Sequence, residues 1–155
     1  MDANSNHVNE TEERAKAQAR DQLAAIEELV TCVQRAYAGI EESSAEDQGD
    51  LAVWQQFKAF EEAREAILDS PLSVQVRTDW HGVGAVEACK PTHYKILLCW
   101  GGPAVQIVGT LDDYNQPDSA QLQYQDWFTA WEDYPLTQAE EETLVKYAQQ
   151  FSFDE

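Results

Sequence analysis

The sequence predicts an α+β fold: an N-terminal helical hairpin and a C-terminal helix on one face of a four-stranded antiparallel meander. Three observations carry that expectation. Leu23, Ile26, Val30, Val33, Tyr37 and Ile40 recur at alternating spacings of three and four, which is one stripe of a long helix. Tyr94–Leu111 (YKILLCWGGPAVQIVGTL) holds two apolar runs around Gly-Gly-Pro and is the most continuously hydrophobic stretch of the chain. Thr137, with Glu140 three residues on, spells a capping box ahead of a last amphipathic segment.

Taken in order, residues 1–9 read as a flexible polar tail and a first helix is expected over 10–42. EESSAEDQGD (41–50) is small, polar and acidic, and suits a loop. A second helix is expected over 51–68, with Val53, Trp54, Phe57, Phe60, Ile67 and Leu68 on its apolar side and Pro71 ending it. From 72 to 80 the period changes: Leu72, Val74 and Val76 alternate with polar residues, so this is a half-exposed strand. Residues 81–92 read as a loop.

The hairpin strands are expected over 94–100 and 104–111. Gly101 and Gly102 permit the reversal and Pro103 cannot donate to a ladder. Gly109 marks a bulge or the close approach of another element. Ile96, Leu97, Leu98, Val105, Ile107 and Val108 fall on both sides of the alternation, so the hairpin reads as covered on both faces. The second cover is either the first helix or another copy of the chain. A homodimer through helix one is therefore expected, with the apolar seam as its interface. A fourth strand over 120–125, an aromatic and acidic bridge (DWFTAWEDY) and a helix over 137–150 complete one domain, 10–155.

Charge narrows the function. The chain has 155 residues, 29 acidic and 10 basic, for a formal net charge of -19. Residues 1–70 and 112–155 each carry -10, whereas 71–111 carry +1. Such a field repels nucleic acid and anionic membrane and attracts basic proteins. No apolar run is long enough to span a bilayer and no signal-peptide pattern opens the chain, which points to the cytoplasm. Cys32, Cys89 and Cys99 are odd in number and fit neither a disulfide framework nor a paired metal motif.

LLCWGGPAVQIVGTLDDY, YQDWFTAWEDY and the closing YAQQFSF resemble a family of small uncharacterised proteins carried by phages and integrated elements of bacteria. The resemblance covers roughly residues 70–155. It carries no activity and no catalytic residue over. What it implies is a setting inside a bacterial host cell and a role in host takeover or evasion of host defence.

No catalytic signature is present, and no cofactor or metal is expected. Cys89, His93 and Cys99 make a metal site only on paper, because Pro91 breaks the spacing and Cys99 sits in an apolar strand. Trp127 and Trp131 either seal the end of the core or anchor a partner, since tryptophan is favoured at interfaces. With Asp112, Asp113, Asp118, Asp126, Glu132 and Asp133 they form the candidate interaction site. The expected function is that of a non-catalytic acidic interaction protein. It would imitate the phosphate array of nucleic acid and inhibit a basic, nucleic-acid-binding host defence protein such as a restriction or CRISPR effector. The alternative is a small enzyme or ligand-binding module with a pocket near residues 81–93, where Trp80, His81 and His93 lie in a segment that is not acidic.

Overall fold

The longest element follows from the longest uninterrupted stretch. No proline or glycine precedes Gly39, so nothing stops helix propagation once a turn has formed. In the computed structural model α1 runs from Ala3 to Ala45. The structure describes residues 3–45, 49–85, 89–127 and 129–154, with side chains placed from Glu10 onward and not at 44–45. The tail expected at 1–9 is thus helical from Ala3, while Met1 and Asp2 lie outside the described residues. The expected loop 41–50 shrinks in the same way, because α1 continues through its first five residues and 46–48 are not described.

α2 spans Asp50–Leu68 and runs back along the second half of α1. The Tyr37 and Phe60 rings lie 6.0 Å apart. Gly39 has no side chain where that of Gln56 lies, which lets the two helices approach closely. α1 is ~65 Å long at 1.5 Å per residue, far longer than the nine-residue strand β2. Its N-terminal half lies on the sheet. Its C-terminal half and α2 form an arm.

The sheet is a meander of β1 (Ser73–Thr78), β2 (Pro91–Cys99), β3 (Ala104–Thr110), β4 (Gln121–Gln125) and β5 (Glu132–Asp133), every neighbour antiparallel. The expected loop at 81–92 is shorter than drawn: β2 begins at Pro91, and 86–88 lie outside the described residues. β5 is an addition to the four strands the sequence predicts. Gly101 takes a positive φ of 128° at the β2–β3 turn, where Gly102–Pro103 is cis. α3 (Gln138–Ala148) opens with the full capping box: Thr137 Oγ1 accepts from Glu140 N–H and the Glu140 carboxylate accepts from Thr137 N–H.

One face of the sheet is packed and the other is open. Ile96, Ile107 and Leu122 stand side by side in register and are buried beneath Leu23 and Ile26 of α1 and Leu144 and Tyr147 of α3. A bulge in β2 between Leu97 and Cys99 interrupts the register, and Leu98 beside it is buried. The opposite face carries the rows Ser73–Leu97–Gln106–Gln123–Asp133 and Gln75–Lys95–Val108–Gln121. This corrects the expectation of two covered faces. Leu97 and Val108 do emerge on the second face, but glutamines surround them there.

The seam of α1 is also accounted for within one chain. Leu23, Ile26, Val30 and Val33 belong to the chain's own core, Ile40 is half-buried, and only Tyr37 of the six is exposed. The stretch Leu23–Val33 of the seam thus serves the chain's own core, and Tyr37 is the part of it left exposed. No helix among the described residues is long and apolar enough to cross a membrane.

Candidate functional site

The eight residues that the sequence singles out fall at two ends of one strand. β4 separates Asp118 from Asp126 by eight positions, roughly 25 Å of extended chain. Asp112, Asp113 and Asp118 sit around the β3–β4 turn, which the Leu111–Pro117 bridge closes. Asp126, Trp127, Trp131, Glu132 and Asp133 sit at the other end, beside the β2–β3 turn. They do not make one surface.

Several of these carboxylates hold the backbone together. Asp112 Oδ1 accepts from the N–H groups of Tyr114 (2.8 Å) and Gln116 (3.0 Å), fixing a turn in which Asn115 adopts a positive φ of 57°. Asp118 accepts from the Thr110 hydroxyl. Asp133 Oδ1 accepts from Gln123 Nε2 at 2.9 Å, and Gln123 Oε1 accepts in turn from Gln106 Nε2 at 2.8 Å. This amide ladder crosses three strands and explains why Gln106, on the open face, is only 6% exposed. Glu132 accepts from the Tyr124 hydroxyl at 3.0 Å and shares a hydrogen bond with Glu12 of α1, which together with charge repulsion raises the Glu12 pKa. Asp126 and Thr129 close a local turn. The Trp127 ring lies against Gly102, where a Cβ would collide with it, yet the indole is largely exposed. Trp131 is half-buried, and Phe128 lies outside the described residues.

The first end gathers acids that linear reading did not connect. Asn115 Nδ2 donates to Asp154 at 3.0 Å and so ties the C-terminus to the turn. Asp118, Glu141 and Glu142 line one open cleft of about 390 Å³ between that turn and the start of α3. Three carboxylates, Asp118, Glu141 and Glu142, share this cleft, and Asp112, Asp113 and Asp154 lie on or are tied to the adjoining turn. Lys146 is at the cleft, and Lys90 Nζ reaches the Asp113 carbonyl at 3.0 Å. Tyr94 below is buried and donates to the Ser119 carbonyl at 2.7 Å. Burial, then Asp118 and Glu141, push its hydroxyl pKa well up.

Of the segment 81–93, where a pocket is expected, His81 lines a depression of about 520 Å³ together with Arg77–Trp80. The depression shares Arg77 with a wider groove of about 1040 Å³ at this end of the sheet, where Gln75, Arg77, His93, Lys95 and Gln121 of the open face meet Ser119 and the acidic Glu141 of α3. Sequence reading placed His93 in a loop, whereas it lies in β2 opposite Arg77 and Thr110. His93 and Cys99 are six positions apart on that strand, roughly 20 Å. Among the described residues no three His, Cys, Asp or Glu are placed to hold a metal ion. Burial raises the Cys99 thiol, which disfavours the reactive thiolate. Comparison of the chain with protein-family models, curated proteins and solved structures finds no match.

Proposed function

We propose that this is a non-catalytic acidic interaction protein whose partner is a basic, nucleic-acid-binding protein. The observation that supports this reading is the cleft lined by Asp118, Glu141 and Glu142 between the start of α3 and the β3–β4 turn, which itself carries Asp112 and Asp113 and holds Asp154. Most of the charge there is exposed, on short side chains held by a rigid turn and a capped helix, and phosphate-binding grooves recognise such fixed anions. Competition with nucleic acid for a basic groove is the mechanism this arrangement would serve. The test is capture from bacterial extract on the immobilised protein. A basic nucleic-acid-binding protein should be retained at about 50 mM salt, released by about 300 mM, and displaced by duplex DNA or RNA. The variant Asp113→Asn/Glu141→Gln/Glu142→Gln should not retain it. Retention that ignores salt, nucleic acid and these substitutions alike rejects the proposal.

A second reading rests on the open-face side of the wider groove, away from Glu141. Arg77 and Lys95 are diagonal neighbours there, with the glutamine amides, His93 and Thr110 around them, which suits a small anionic ligand. Thermal-shift titration with phosphate monoesters and dicarboxylates should raise Tm if this reading holds, and Arg77→Gln/Lys95→Gln should abolish the rise. No shift with any of them removes it.

A further inference from the structure

α2 carries more apolar surface than α1 can cover. Phe60, Ala63 and Ile67 pack into the core side of the helix pair. Toward the opposite side of α2, roughly 150° round the helix at 3.6 residues per turn, Leu51, Trp54 and Phe57 are 69%, 58% and 51% exposed, and Tyr37 of α1 is 53% exposed. Tyr37 continues the α1 stripe of Leu23, Ile26, Val30 and Val33, the first two of which rest on the sheet. That stripe is covered as far as Val33, whereas Tyr37, though it touches the Phe60 ring, stays exposed, as do Leu51, Trp54 and Phe57 of α2.

We propose that a second copy of the chain covers these four side chains, the two arms packing antiparallel through Leu51, Trp54, Phe57 and Tyr37 to form a four-helix bundle. Three features favour this occupant. The four side chains offer roughly 400–500 Å² of apolar surface per copy, about half of one side of a standard interface and the part that forms its centre. Lys58, whose ammonium lies 5.6 Å from the Trp54 ring, and Arg64 border the stripe together with Glu61 and Glu65, so both charge signs meet their opposites when the helix faces itself. Finally, an antiparallel arrangement sets the two sheets at opposite ends of an arm ~28 Å long. That keeps the strongly acidic 112–154 regions several screening lengths apart. A parallel arrangement would bring them together.

The proposal is independent of the acidic-end reading, because salt acts on the two in opposite senses. Added salt screens self-repulsion and strengthens the dimer, while it weakens capture of a basic partner. Light scattering after size-exclusion chromatography, with reductant present because Cys32 is exposed, should give twice the 17.5 kDa chain mass. Small-angle scattering should show an extended particle. Trp54→Ala and Phe57→Glu should each raise the dimer Kd at least about tenfold and leave the far-ultraviolet circular dichroism spectrum unchanged. Trp80→Ala, at an exposed site off the arm, should remain dimeric. A wild-type monomer across salt and concentration overturns the proposal. So does a dimer indifferent to Trp54 and Phe57, or one whose scattering places the sheets side by side.

Discussion

The Tyr147 hydroxyl lies 2.6 Å from Ser70 Oγ, joining the exit of α2 to the buried face of α3 across 77 positions of sequence. Ser70 Oγ also lies 2.7 Å from the Ile67 carbonyl, which can only accept. The single hydroxyl proton of Ser70 is committed there, so Tyr147 is the donor between the two. Burial raises the Tyr147 pKa, in keeping with a hydroxyl that stays protonated.

The two truncations of this pair should differ. Ser70→Ala leaves the buried Tyr147 hydroxyl without an acceptor and should cost about 1–3 kcal/mol, whereas Tyr147→Phe removes the donor and should cost about 0.5–1.5 kcal/mol. Urea unfolding of both single variants and the double variant measures the difference. Equal costs would contradict the assigned donor.

Gly109 should tolerate no side chain. A Cβ there would meet the Ser119 carbonyl oxygen and the Tyr94 ring, both fixed by their mutual hydrogen bond. Gly109→Ala should lower stability by about 1–3 kcal/mol. Gly82→Ala, where nothing lies within 4 Å, is the control and should leave Tm unchanged.

Acid should strengthen the contact between α1 and β5. The Glu12 pKa is raised in the folded state by the hydrogen bond and the charge of Glu132. The folded chain therefore holds a proton that the unfolded chain releases. Stability from this group is fully present below the unfolded value of about 4.3 and is lost as pH rises through the higher folded value. In Glu12→Gln the amide should donate to Glu132 at every pH, so its Tm advantage over wild type should be greatest at neutral pH and vanish near pH 4. An advantage independent of pH would exclude a shared proton.

β5 should depend on two side chains more than on its own backbone. It pairs with β4 only at Gln123–Asp133 and Tyr124–Glu132, and both positions carry side-chain hydrogen bonds. Gln123→Ala should speed amide exchange in 132–134 by at least about tenfold, a loss of ~1.4 kcal/mol, while β2 and β3 keep their protection.

Elements written in local chemistry were legible in the sequence. The capping box at Thr137 and the Gly-Gly-Pro reversal follow from residues within a few positions of one another. At Gly109 the sequence leaves a bulge or a close approach open, and the neighbours that decide it, Tyr94 and Ser119, are distant in sequence. β5 was not legible, because two residues have no period and their pairing is set by glutamines on a neighbouring strand. The apolar side of α2 was found but not divided, since periodicity shows how wide an arc is and not how much of it one helix can cover. The candidate site was misjoined for a similar reason. Asp118 and Asp126 are near in sequence yet stand at opposite ends of a strand, while Asp118 and Glu141 are 23 positions apart and line one cleft.

The long first helix has a mechanical consequence. Between Ala15, at the centre of the sheet's cover, and Val33, well along the arm, it holds neither glycine nor proline, so no joint separates the two functions of one rod. A load applied where α1 meets α2 at the far tip is carried as torque along a stiff lever. It is resisted where Ala15, Ala19, Leu23 and Ile26 sit in the core. Whatever engages the tip therefore pulls on the packed face of the sheet.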